Sequence, residues 1–381
     1  MNSAAVDASL ARTLAAILRR EPPPSWPAGL DGDAGQIAQR IAFHGIALLI
    51  AQTPGALDSW PPALARALRE QAGIQTFWET SHRAAIAPLI EALAAAGIPA
   101  IITKGTALAY SVYPDAAARR RGDTDILVQG ACRRQVRQVL RACGFAEVSD
   151  VKALQESWQR DTAIGFAPAV DIHWRINASA AVSQMLERGL RFDKTIPLNR
   201  LSPNARGVGP VDNLILTAIN RGAHAVFGYN VGPERMFEAD RLIWAMDVHL
   251  LTGQFVAGDW DDLVERASLT GAAGMVRASL AFARRTLGTV VPEGIDAALA
   301  RVPADHGLGA YFRLASHVHR LQHDLAACGS IGEKARVLRY VAFPSGDFLQ
   351  SRFPDAEGWP RPILHLRRWI EGAGRLLSGK A

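Results

Sequence analysis

The stretch Asp123-Thr124-Asp125-Ile126-Leu127-Val128 decides the fold, because a short β-prone run opened by two alternating acids reads as a strand with chemistry on one face. On a strand, residues i and i+2 point to the same side, so the carboxylates of Asp123 and Asp125 come together. Two bare negative charges about 4 Å apart repel by roughly 4 kcal/mol at an effective dielectric near 20, so such a site either protonates or binds a cation. Oxygen-only donors point to Mg²⁺, which is usually held by one or two carboxylates together with substrate phosphates. A pair of these ions can clamp the attacking and leaving oxygens of a phosphoryl displacement. A lone Asp-x-Asp also serves in surface turns, so its neighbours must select between the two readings.

Upstream, Ala100-Ile101-Ile102-Thr103 is β-prone and leads into Lys104-Gly105-Thr106 and a helical pattern over 107–112. A strand, a glycine turn and a helix in that order aim backbone N–H groups and a positive helix end at an anion, although a plain turn needing a small residue has the same spelling. Between this cradle and the acids lies Arg119-Arg120-Arg121, whose guanidinium groups could hold a triphosphate by forked hydrogen bonds. Downstream, Cys132, Val136, Val139, Leu140 and Cys143 share one face of a predicted helix, and Arg133, Arg134, Arg137 and Arg141 form its other face, read as solvated surface ahead of a phosphate or RNA contact. Strands are predicted at 145–148 and 170–176, with a loose β-like stretch at 157–166. In the 170–176 strand, Asp171 and His173 share a face while Val170, Ile172 and Trp174 point the other way. If this strand lies beside the Asp-x-Asp strand, Asp171 completes a three-carboxylate cluster. His173 then sits one pleat away, where it can touch a phosphate or shuttle a proton.

The 381 residues are 49% hydrophobic and 20% charged, which excludes a disordered or fibrous chain and leaves length for two or three domains. Residues 1 to about 75 read as several short helices broken at Pro22-Pro23-Pro24, Pro27 and Pro61-Pro62, followed by a helix over 80–96 that stops at Gly97 and Pro99. Beyond about 204 the pattern is helical, over 211–225, 235–251, 260–287 and 305–327. Pro197, Pro203, Gly207, Gly209 and Pro210 mark a boundary, so the expected division is a helical segment 1–78, a catalytic domain 79–205 and a helical domain 206–381. Lys and Arg number 42 against 36 Asp and Glu, a net +6 that suits anionic partners. Three scattered cysteines, Cys132, Cys143 and Cys328, support neither a disulfide framework nor a zinc ribbon. No stretch has the length of a membrane-spanning helix, and the N-terminal apolar run is too brief for a signal peptide. A cytoplasmic protein with no membrane partner is the expectation.

Taken together, these residues resemble the nucleotidyltransferase superfamily of DNA polymerase β, with Gly105-Thr106 as its turn and Asp123 and Asp125 as its carboxylate strand. More closely, the chain is similar to the bacterial uncharacterised nucleotidyltransferase family. The likeness rests on Lys104-Gly105, Tyr113-Pro114, Arg119, Asp123-Thr124-Asp125 and Val170-Asp171-Ile172-His173-Trp174, and extends more weakly to Asp240 and to Asp259-Trp260. Departures are a long gap from Thr106 to Asp123, Thr124 where an apolar residue is usual, and Asn220 where a histidine is expected ahead of His224. The resemblance implies an α+β fold: a polymerase β-like core of a short mixed sheet flanked by helices, with a helical N-terminal segment and a helical C-terminal domain. It implies an enzyme moving a nucleoside monophosphate from an NTP, by family habit ATP, to an acceptor hydroxyl on a small molecule, a peptide or protein, or a tRNA. Asp123, Asp125 and Asp171 would bind Mg²⁺, expected as a pair of ions, and act in catalysis, while Lys104, Gly105, Thr106, Arg119 and His173 would bind the nucleotide. The alternative is a catalytically silent nucleotide-binding or antitoxin-like protein on the same fold.

The remaining polar features have plainer readings. His317, His319 and His323 lack an accompanying carboxylate motif, and Trp174, Trp244 and Trp260 read as core. The segment holding Trp359, Arg361, His365, Arg367, Arg368, Trp369 and Arg375 reads as an amphipathic terminal helix more simply than as an RNA contact.

Overall fold

The computed structural model describes residues 3–21, 26–27, 30, 34–148, 154–162, 165–231, 234–238, 240–303, 307–314, 316–344 and 346–377. The Pro22-Pro23-Pro24 break and the start of the predicted 305–327 helix lie outside them. Seven strands form one mixed sheet: β1 (Ala100–Thr103), β2 (Asp123–Val128), β3 (Ala146–Glu147), β4 (Gln155–Gln159), β5 (Ala169–His173), β6 (Thr195–Pro197) and β7 (Arg206–Val208), in the order β3-β4-β5-β2-β1-β7-β6. A separate hairpin joins β8 (Tyr229–Val231) to β9 (Glu234–Met236). The sheet flanked by helices is the α+β architecture expected from the sequence.

β1 and β2 fall where their β-prone runs place them, and they pair antiparallel with Thr103 opposite Asp125. β2 and β5 pair in parallel, with Asp125 opposite Asp171 and Leu127 opposite His173. The back of this sheet carries Ile126, Trp158, Val170 and Ile172, all fully buried. They pack with Ile86, Leu89, Ile90 and Leu93 of one helix and Val136 and Leu140 of another. Burying such side chains contributes roughly 1.5–3 kcal/mol each, which fixes the register: a slip by one residue would turn the acids into this core.

Several sequence expectations are corrected. The predicted helix over 80–96 is the end of a single 34-residue helix, Pro62–Ala95, that carries Pro88 inside it and begins at the Pro61-Pro62 break. The predicted 235–251 helix starts later, at Leu242–Thr252, because Glu234–Met236 pairs in the hairpin. The 260–287 pattern divides into Ala257–Thr270 and Ala273–Leu287 at Gly271, whose φ of 70° ends the first helix in a left-handed cap. The basic face of the Arg133–Ala142 helix is not simply solvated. Arg137 makes two hydrogen bonds of 2.7 and 2.9 Å to Glu156, which is buried on β4, and Arg141 lies 3.8 Å from Glu147. The cysteines are free thiols, and among the described residues no helix is long and apolar enough to cross a membrane.

The largest apolar cluster joins the N-terminal helices to those after Pro210. At its edge His44, on the Ala34–His44 helix, accepts a hydrogen bond from the backbone N–H of Leu242 through Nδ1, at 3.3 Å. Burial, with the nearby charges of Arg40 and Arg241, pushes the imidazole down to about 3. The unfolded chain binds this proton near pH 6.5 and the folded chain does not, so stability falls as pH drops through that window. His44 alone should remove about 2 kcal/mol between pH 7 and pH 5. Urea midpoints at the two pH values test this: the drop should shrink in His44→Asn, and an unchanged drop would contradict the assignment.

Candidate metal and nucleotide site

The front face of the sheet is assembled by register. Asp123 and Asp125 on β2, Asp171 and His173 on β5, and Gln155 and Ser157 on β4 all point to it, since Ser157 pairs opposite Asp171 and Gln155 opposite His173. Asp125, Asp171 and His173 bring one potential ligand atom each within 4.8 Å of one another, the one such group of three among the described residues. Asp123 shares their face but stands outside that group, and the histidines of the His317–Ala327 helix form no group of this kind.

Each acid is held differently. Asp171 accepts hydrogen bonds from Ser157 Oγ at 2.6 Å and from the side-chain amide of Gln155, which leaves its carboxylate oriented but only half-buried. Asp125 is buried, and its Oδ1 receives both Lys104 Nζ, at 2.5 Å, and His173 Nε2, at 2.8 Å. Burial favours the neutral acid, but the Lys104 charge and the His173 hydrogen bond outweigh it and hold Asp125 well below the ordinary carboxylate range. Burial and the Lys104 charge together hold His173 below its usual value, so the ring is neutral, donating through Nε2 to Asp125. Its Nδ1 is then a buried acceptor with no hydrogen-bond partner in the protein. Burial opposes the Lys104 ammonium, yet Asp125, Asp123 and Asp171 more than compensate and raise it.

The cradle is strained and crowded. Lys104 opens the Lys104–Ser111 helix with φ of 54°, a left-handed conformation that costs a side-chain-bearing residue about 1–2 kcal/mol. The strain turns its side chain from the end of β1 toward Asp125. At Gly105, a Cβ would lie 3.3 Å from Arg121 Cβ, so a side chain here would require Arg121 to give way by a few tenths of an ångström.

Behind the acids lies a polar network that the sequence did not reveal. Thr124, where an apolar residue was expected, is fully buried and contacts His82 Nε2 at 2.6 Å and Thr106 Oγ1 at 3.0 Å. Arg121 donates through Nε to that same Thr106 hydroxyl at 3.0 Å and pairs with Glu79 at 2.6 Å. Tyr110 donates its hydroxyl to Glu79 as well. The long Pro62–Ala95 helix is thereby tied to the first turn of the cradle helix and to the middle of Asp-x-Asp. On the front face, the alternation of β4 offers a signal for Gln155 and Ser157 at i and i+2. Behind it, Glu79 and His82 on the long helix and Tyr110 on the cradle helix belong to no motif in the sequence.

Arg119 is held by protein partners beside the cradle, with one terminal nitrogen 3.8 Å from where a Cβ on Gly105 would lie. Its Nε and one terminal nitrogen donate to the two oxygens of Asp247 at 2.7 Å each, and Tyr113 donates to Asp247 at 2.7 Å. Asp247 lies on the Leu242–Thr252 helix and is fully buried. Arg120 donates to the carbonyl of Ala42 at 2.7 Å, so each member of the Arg119-Arg120-Arg121 run has a protein partner. Of the helical-half candidates, His224 stacks on Trp244 with ring centroids 5.5 Å apart, and burial pushes it down to about 4. Asp240 pairs with Arg221 and lies 3.7 Å from Arg285.

Residues 31–288 match the model of a protein family described as uncharacterised nucleotidyltransferase. No curated protein matches the chain.

Proposed function

Because the chain belongs to the uncharacterised nucleotidyltransferase family, we propose that it transfers a nucleoside monophosphate from an NTP, by our reading ATP, to an acceptor hydroxyl. The acceptor oxygen forms a bond to the α-phosphorus, the bond to the β-phosphate oxygen breaks, and pyrophosphate leaves while the hydroxyl proton is lost to a base. The observation that carries this reading is the parallel register of β2 and β5, which sets Asp125 and Asp171 side by side with His173.

The donor set fits a hard divalent cation: two carboxylates, one of them kept ionised despite burial, and an unpartnered imidazole nitrogen close by. Asp125 and Asp171 would hold Mg²⁺ with Asp123 beside them, and the metal when bound would neutralise triphosphate charge and favour the leaving pyrophosphate. The chain's own residues supply position and field. Lys104, released from Asp125 when phosphate arrives, balances negative charge, and the N–H groups of Gly105 and Thr106 face the phosphates at a helix start. Asp171, oriented by Ser157 and Gln155, would take the proton of the entering hydroxyl, and neutral His173 holds Asp125 in place. Arg119 acts from behind, anchoring the segment before β2 to the helical half through Asp247.

One observation favours the silent alternative: in this arrangement Lys104 already satisfies Asp125. Incubation with each α-labelled NTP and Mg²⁺ in the presence of native cell extract separates the two. Label should move to one extract fraction with release of pyrophosphate. Thermal stabilisation by NTP without any transfer would leave only a binding protein.

A further inference from the structure

The hydrogen bonds linking His82, Thr124, Thr106 and Arg121 behind the acids each have a fixed direction. A guanidinium can only donate, so Arg121, 3.2 Å from His82 Nδ1, makes that nitrogen the acceptor and leaves the ring proton on Nε2. Burial and the Arg121 charge hold His82 well below its usual value, which keeps the ring neutral. Nε2 therefore donates to Thr124 Oγ1 at 2.6 Å. The Asp123 carbonyl can only accept, so the Thr106 hydroxyl proton goes to it, at 3.3 Å. The 3.0 Å contact between the two threonines then runs from Thr124 to Thr106.

Two groups are fully engaged by this arrangement. Thr106 Oγ1 accepts from Thr124 and from Arg121 Nε and donates to Asp123, so the hydroxyl of this buried residue has nothing left for a phosphate. Arg121 gives Nε to Thr106, one terminal nitrogen to the carbonyls of Ala116 and Arg119, and the other to Glu79 and His82, so all five of its N–H groups find partners within the protein. What these side chains hold is a distance: the first turn of the cradle helix against the carbonyl of Asp123 and the residue between the two acids. Groups placed before the ligand arrives need no ordering when it binds, and a misplacement of about 1 Å can cost roughly 10²-fold in rate.

On the reading of this site as one for a cation and a triphosphate, we propose that His82, Arg121 and the Thr106 hydroxyl are positioning groups that fix the phosphate cradle to the carboxylate strand. A metal on the acids and phosphates on the N–H groups of Gly105 and Thr106 then bind cooperatively, and none of the three positioning groups touches substrate. Mn²⁺ binding to the full-length chain, titrated with and without a non-hydrolysable NTP analogue, reads that cooperativity. In the native protein the analogue should tighten Mn²⁺ on the order of tenfold or more. His82→Phe keeps a ring to stack on Trp78 but lacks both nitrogens, and Thr106→Val keeps the branched shape without the hydroxyl. Both should bind Mn²⁺ alone as the native chain does and lose most of the tightening, while Thr106→Ser retains it. If either variant does not fold, Thr124→Val breaks the same chain of hydrogen bonds and is read in the same way. Tightening kept in both variants would make the network merely structural and overturn the proposal. Loss in Thr106→Val with full tightening in His82→Phe would put the Thr106 hydroxyl on the phosphate, and overturns it too. A native chain that binds Mn²⁺ without any tightening overturns the proposal while the cation site stands. One that binds no Mn²⁺ overturns the reading of the site itself, and the proposal with it.

Discussion

Asp125→Asn should lower pyrophosphate release on the order of 10³-fold, the scale expected when a group that stabilises developing charge in a closed site is lost. The amide keeps an oxygen for His173 Nε2 and nearly the same shape, so the apolar back of β2 is untouched. What disappears is the charge that Lys104 and the proposed cation share. Breaking a buried ion pair can cost several kcal/mol, but the Lys104 side chain is 31% exposed and its ammonium can turn to water, which reduces the expected loss of stability to about 1 kcal/mol. The variant should therefore fold, melt within a few degrees of the native protein and fail to turn over. Retention of activity within tenfold would make Asp125 a counter-ion for Lys104 and no more.

The second large effect concerns stability. Arg119→Ala leaves Asp247 fully buried with only Tyr113 as a partner, and an uncompensated buried carboxylate costs about 3–5 kcal/mol. Arg119→Lys should recover little, because an ammonium cannot match both oxygens of Asp247 as the guanidinium fork does. Urea denaturation of both variants measures this. A variant of native stability with a raised KM for NTP would return Arg119 to the triphosphate, where the sequence reading put it.

These two residues show what could be read from the sequence and what could not. β1 and β2 are legible because a strand's chemistry follows a period of two that is written in consecutive residues, and the same alternation sets Asp171 and His173 on one face. That β5 lies in parallel beside β2 is not written there. Pairing strands more than 40 residues apart depends on the back-face side chains of both fitting one apolar layer, which only the folded chain displays. Arg119 is similar: its position before the acids suggests phosphate, but its partner lies 128 residues away on a helix whose other residues read as apolar core. Only the last part of the Pro62–Ala95 helix, over 80–96, is legible as such; the whole helix runs through Gly73 and Pro88, both on its exposed side, where a missing side chain or a lost backbone hydrogen bond is least costly. Thr124 looks like a departure from its pattern until His82 and Thr106 are seen to satisfy its hydroxyl.

The central claim is that acids from two neighbouring strands hold one divalent cation, and it can be measured without knowing the acceptor. Mn²⁺ binding, followed by electron paramagnetic resonance in the presence of a non-hydrolysable NTP analogue, should be saturable in the native chain. It should be abolished in Asp171→Asn, while far-ultraviolet circular dichroism stays native. Equal Mn²⁺ binding in the native and Asp171→Asn proteins would place the cation elsewhere and contradict the account.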